Sequence, residues 1–99
     1  MNITLGDVWT IKLNSGEELV ARVEDVNETD LQLHDPLSVA PRPQGVGLIP
    51  SLFTADQKGE IRLNKNSIAM YGLADSEIRS KYLQATTGLV VPEKKLILG

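Results

Sequence analysis

The stretch Leu13–Asp35 reads LNSGEELVARVEDVNETDLQLHD, and the way its apolar residues alternate decides the fold. Asn14-Ser15-Gly16 is a turn signal, with Gly16 free to take positive φ, and Asn27-Glu28-Thr29-Asp30 is a second tight turn. Between them Leu19, Ala21 and Val23 alternate with Glu18, Val20, Arg22 and Glu24. That is the period-two pattern of a half-buried strand, the first set facing inward and the second outward. The phase then slips at Asp25-Val26, where the apolar residue comes one position late. A β-bulge supplies one extra residue and bends its strand sharply, and closing a small barrel requires such a bend. After the second turn Leu31, Leu33, Leu37 and Val39 alternate again, with Gln32, His34 and Ser38 opposite; Asp35-Pro36 interrupts, as at an edge or a kink.

Upstream, Val8–Leu13 (VWTIKL) is another half-buried strand with Trp9, Ile11 and Leu13 on one face. Downstream, Ala40–Gly47 (APRPQGVG) reads as loop. Val46–Phe53 is apolar on both faces, and is expected to be buried on both sides or covered by a partner. A turn at Ala55–Glu60 precedes a short strand, Ile61–Leu63, a polar turn, Asn64-Lys65-Asn66, and a last strand, Ser67–Tyr71, with Ile68 and Met70 inward. Whether 46–63 is one bent strand or a hairpin stays open. Asp75–Ala85 carries helix signals: a cap at Asp75 or Ser76, an apolar stripe of Ile78, Tyr82 and Ala85, a Glu77/Lys81 pair, and Gly88 as a stop. Leu89–Gly99 (LVVPEKKLILG) is apolar at both ends and is expected to pack on the barrel or on a neighbouring subunit. The expected division is therefore a β-barrel over 1–73 and a helix with tail over 74–99.

The 99 residues suit one domain with a modest core. Ten basic and thirteen acidic residues, net charge −3, are not the basic surface of a dedicated duplex binder, so any nucleic-acid binding must be local. The absence of cysteine excludes disulfides, thiolate metal sites and a cysteine nucleophile. Without a leader-like start or an apolar run near the ~20 residues of a membrane span, a cytoplasmic protein with no membrane partner is expected. His34 is the sole histidine. Its neighbour Asp35 should point to the opposite face of the strand, so the two are not expected to meet. Glu17, Glu18, Glu24, Asp25, Glu28 and Asp30 are spread over hairpin ends and outward positions rather than converging. No catalytic constellation and no cofactor are implied, and a non-enzyme is expected.

This pattern resembles the Sm-like (LSm) family. The first family motif is matched by Ile11-x-Leu13, Gly16, Ala21-x-Val23, Val26-Asn27 and Leu31-x-Leu33, and the second by Ile61–Ile68. The resemblance covers roughly Val8 to Tyr71 and is to the divergent bacterial and phage-encoded members. Ala21 stands where the family usually has Gly, Asn64-Lys65-Asn66 where it usually has Arg-Gly, and the second turn lacks the family's aromatic. The resemblance implies a mostly β fold: a small, strongly bent, antiparallel five-stranded barrel of the Sm-like (SH3-like) kind, here with a C-terminal helix. It implies a cyclic homo-oligomer, a pentamer to heptamer, in which a base of single-stranded RNA is held at the pore by two polar turns. Carried onto this sequence, the RNA-binding candidates are Asn27 and Asp30 in one turn and Asn64, Lys65 and Asn66 in the other. The alternative is a structural ring that has lost RNA binding and engages a protein partner through the helix and tail.

Overall fold

Three single-residue insertions in the ladders shape the sheet. Between Val23 and Asp25 strand β2 (Glu18–Val26) carries one residue more than β3 (Asp30–Arg42), which leaves Glu24 unpaired. This is the bulge expected from the phase slip, and it lets Val26 pair Leu31 and pack on the core with Val23. Between Val20 and Arg22 the extra residue lies on β3, at Asp35-Pro36, where Asp35 takes φ +49°. The third lies on β6 (Ile68–Leu73), opposite the Lys12/Leu13 step of β1 (Val8–Leu13). Each insertion bends and twists its strand.

The structure, a computed structural model, describes residues 1–56 and 59–88; the expected packing of the tail falls on residues 89–99, outside them. Among the described residues all strands belong to one antiparallel sheet, in which β4 (Gly45–Pro50), β3, β2, β1 and β6 follow in that order and β5 (Ile61–Asn64) also pairs with β3. It has six strands rather than five, because residues read as loop form structure. β3 runs on through Ala40, Pro41 and Arg42, and β4 pairs back on it around Pro43-Gln44, with Gly45 at φ +123°. β4 and β5 lie one after the other along the same edge of β3, opposite β2. So 46–63 is neither one bent strand nor a hairpin. One turn of 3-10 helix (Lys65–Ser67) takes the chain from β5 directly into β6, which pairs with β1 at the far end of the strand order.

Two apolar clusters lie on the sheet. The first joins Trp9, Ile11, Leu19, Ala21, Val23, Leu31 and Leu33, the set read from the alternation save Leu37 and Val39, which follow the Asp35-Pro36 bulge and lie with the second cluster. The second joins Val8, Val20, Leu37 and Tyr82. Val20, expected outside, is buried here, because helix α1 (Ser76–Thr87) covers the second face of β1–β3. Tyr82 anchors that helix. Its side chain is buried, and its hydroxyl accepts from the Arg22 N–H at 3.1 Å and donates to the His34 carbonyl. Arg22 and His34 face each other across β2 and β3 beside the Asp35-Pro36 bulge, so the phenol bridges the two strands where the ladder is disturbed. The helix packs through Ile78, Tyr82 and Leu83, with Ala74 packing just ahead of its cap; Ala85, expected in the stripe, is exposed.

Asp75 caps the helix, its Oδ1 accepting from the Ile78 N–H at 2.8 Å, and Gly88 ends it at φ +74°. Asp75→Ala should cost about 1 kcal/mol of stability, read as a lower denaturant midpoint at unchanged slope. Met70, expected inward, is 65 % exposed, since the β6 bulge breaks the alternation between Ile68 and Met70. No helix among the described residues is long and apolar enough to cross a membrane.

Candidate functional site

The β5 register sets the site. Pairing Leu31 with Leu63 puts Asp30 opposite Asn64 at the end of the ladder, and the Lys65 N–H then donates to the Thr29 carbonyl at 2.9 Å. The turn 27–30 and the turn 64–66 are thus held together. The β1–β2 turn joins them: Asn14 donates its N–H to the Ser67 carbonyl and its Nδ2 to the Asn66 carbonyl, both at 2.7 Å. All five candidates, Asn27, Asp30, Asn64, Lys65 and Asn66, lie in this one region.

Within it their chemistry differs. Asn27 is consumed by its own turn. Its Oδ1 accepts from the N–H groups of Thr29 (2.9 Å) and Asp30 (2.8 Å), and its Nδ2 donates to Asp30 Oδ1 at 3.1 Å. This is the Asx geometry for which Asn is favoured in turns. Asp30 also accepts from Thr29 Oγ1 at 3.1 Å and pairs with Arg62, Nη1 to Oδ1 2.6 Å. The second turn is less occupied. Asn64 Oδ1 accepts from the Asn66 N–H at 2.8 Å, which fixes the 3-10 turn. The Asn64 NH2 group, the Asn66 carboxamide and the Lys65 ammonium have no side-chain partner among the described residues. Leu13, Asn14, Ser15, Asn64, Asn66 and Ser67 line a shallow cleft of about 330 Å³ beside them. A carboxamide in such a cleft offers a donor and an acceptor to a base edge, and the ammonium suits a phosphate.

Arg62 and Asn14 are site residues that sequence reasoning did not single out. Asp30 lies opposite Asn64, so Arg62, two residues earlier on β5, is its diagonal cross-strand neighbour and reaches its carboxylate. The signal was in the Leu31/Leu63 alternation, once those two leucines are paired. The hydrogen bond from Arg62 holds the Asp30 carboxyl below its ordinary value, and the pair raises Arg62 further. A carboxyl depressed in the fold adds stability above its unfolded value and loses it as pH falls through the folded one. Stability should therefore fall below about pH 4, and Asp30→Asn should flatten that part of an acid titration followed by circular dichroism.

His34 and Asp35 do meet, Nε2 to Oδ2 3.2 Å, contrary to the expectation from strand alternation. The positive φ of Asp35 turns its side chain onto the face of its neighbour. No hydroxyl nucleophile is hydrogen-bonded to this imidazole among the described residues, and no group of three or more His, Asp or Glu there is placed to hold a metal ion.

The segment read as apolar on both faces is only half-buried within the subunit, with Leu48 packed against the cluster under the helix. Ile49 and Leu52 are exposed, and Phe53 is 79 % exposed. At the other end of the strand order, Met70, Tyr71 and Leu73 of β6 are exposed as well. No protein-family model matches the chain, and no curated protein matches it.

Proposed function

We propose that this chain is a divergent Sm-like subunit that assembles into a cyclic homo-oligomer and binds single-stranded RNA where its turns 27–30 and 64–66 converge. One observation carries the reading: the two polar turns that the resemblance assigns to RNA are hydrogen-bonded to each other, and Asn66 and Lys65 keep free polar groups beside a cleft. Two further features support it. The strand order β6-β1-β2-β3-β5, with a single 3-10 turn between β5 and β6, is the connectivity that a small barrel of this kind needs. The apolar side chains at the two ends of the strand order give the unlike surfaces of a head-to-tail contact, which closes into a ring when the rotation allows.

Within the site, Asn66 and Asn64 address the base edge and Lys65 the backbone, while Asn27 and Asp30 shape the turn that supports them. This divides the five candidates into three that contact RNA and two that position them. A labelled U-rich or A-rich oligonucleotide, titrated at low and moderate salt, tests the reading. Salt-sensitive binding that weakens at least about tenfold in Lys65→Ala and Asn66→Ala supports it; no binding at low salt overturns it.

A second reading is favoured by one specific observation. Among the described residues no aromatic ring lines the cleft to stack a base, and the first turn presents Glu28 and Asp30. A ring that engages a protein partner through its helix and tail fits that surface, and it would remain oligomeric in the titration while leaving RNA free.

A further inference from the structure

Arg62 is a second cation in this region besides Lys65, and two carboxylates already hold it. Its Nη1 lies 2.6 Å from Asp30 Oδ1, and its Nη2 is hydrogen-bonded to the Glu60 carboxylate. Nη1 and Nη2, so engaged, are the two nitrogens a phosphodiester would take in an end-on bidentate contact. Arg62 and Asn64 alternate with Leu63 on β5, so they lie on one face, about 7 Å apart. A nucleotide held at Asn64 and Asn66 therefore runs its backbone within reach of Arg62. Across the ladder Arg62 faces Gln32, which brings no charge.

We infer that Arg62 is a phosphate-binding position of the RNA site, and that Asp30 and Glu60 occupy it in the free protein as an internal substitute for phosphate. The inference rests on the RNA reading proposed above and adds a regulating contact to it. The guanidinium is partly exposed, its side chain 39 % accessible, so a phosphate reaches it without unfolding the turn. Binding then exchanges carboxylates for phosphate at one cation instead of adding a new ion pair. The same exchange reconciles an acidic turn with an RNA site: the acid holds the arginine in place and raises the threshold for binding.

The test compares four chains by oligonucleotide anisotropy: wild type, Asp30→Asn/Glu60→Gln, the same pair with Arg62→Gln, and Arg62→Gln alone. The doubly neutralised chain should bind about tenfold more tightly than wild type at low salt. Its salt dependence should steepen by about 0.7 log units per log unit of salt for each subunit engaged. Adding Arg62→Gln should cancel that gain, and Arg62→Gln alone should weaken binding about tenfold relative to wild type, because it removes the cation that takes the phosphate and leaves Asp30 and Glu60 uncompensated beside the strand. Glu60→Gln alone, which leaves the Asn27–Asp30 turn intact, should move affinity in the same direction by less; this guards against a folding defect from Asp30→Asn. Equal gains with and without Arg62 would overturn the inference, since the effect would then be net charge only. If wild type binds through Lys65 and Asn66 and the neutralised chain binds no better, the inference falls and the RNA reading stands. If none of the chains binds, both fall.

Discussion

Tyr82→Ala is expected to destabilise the protein by about 3–5 kcal/mol, the loss typical of truncating a buried aromatic side chain. The ring is 1 % exposed and is the largest side chain in the cluster under the helix, so its removal opens a void among Val8, Val20 and Leu37. The hydroxyl makes a separate contribution. Tyr82→Phe keeps the packing but leaves the Arg22 N–H and the His34 carbonyl without their bridge, which should cost about 1–3 kcal/mol. Burial pushes the Tyr82 phenol up to about 12 from its ordinary 10.0. A group raised in the fold adds stability below its unfolded value and loses it as pH climbs through the folded one. Wild type should therefore lose about 2 kcal/mol between pH 10 and 12 beyond the loss seen in Tyr82→Phe. Urea titrations of both chains across that window measure the difference; parallel curves would mean that the phenol is not buried.

The second large effect is on assembly. Met70 and Leu73 are 65 % and 60 % exposed on β6, and charges placed there should leave the isolated subunit within about 0.5 kcal/mol of its stability. In the proposed ring the same positions are covered, so Met70→Lys/Leu73→Glu should reduce the mass in light scattering from oligomer to monomer. Phe53→Ser at the opposite end of the strand order should do the same. A head-to-tail contact makes a further demand. Mixing the two variants pairs one intact surface from each, so they should form a heterodimer and stop there. Recovery of homodimers by either variant would indicate a two-fold contact instead.

How far the sequence carried these conclusions differs by element. The strands β1, β2 and β5, the β2 bulge and both helix caps were legible, because each depends on local alternation or on a named capping residue. The second face of the sheet was not. Val20 and Val8 sit where alternation predicts solvent, and they are buried because a helix some 60 residues later lies on them through Tyr82. β4 was hidden by Pro41, Pro43 and two glycines, residues that read as loop but are tolerated along an edge strand paired on one side. The meeting of His34 with Asp35 and the exposure of Met70 have one cause: a bulge shifts the face that every later side chain takes. The five candidate residues were found together because turn chemistry is local. The roles of Asn27 and Asp30 were not legible, since only the folded turn reveals that their polar atoms are already engaged, and Arg62 became visible only with the register.

Native mass spectrometry of the intact protein, alone and with one equivalent of a U-rich oligonucleotide, decides between ring and monomer and between bound and free RNA in a single spectrum. The expected spectrum shows one closed oligomer of about five to seven subunits that takes up a single strand and loses it in the Asn66→Ala chain. A monomer, or an oligomer whose mass does not change when RNA is added, would contradict the RNA-binding ring.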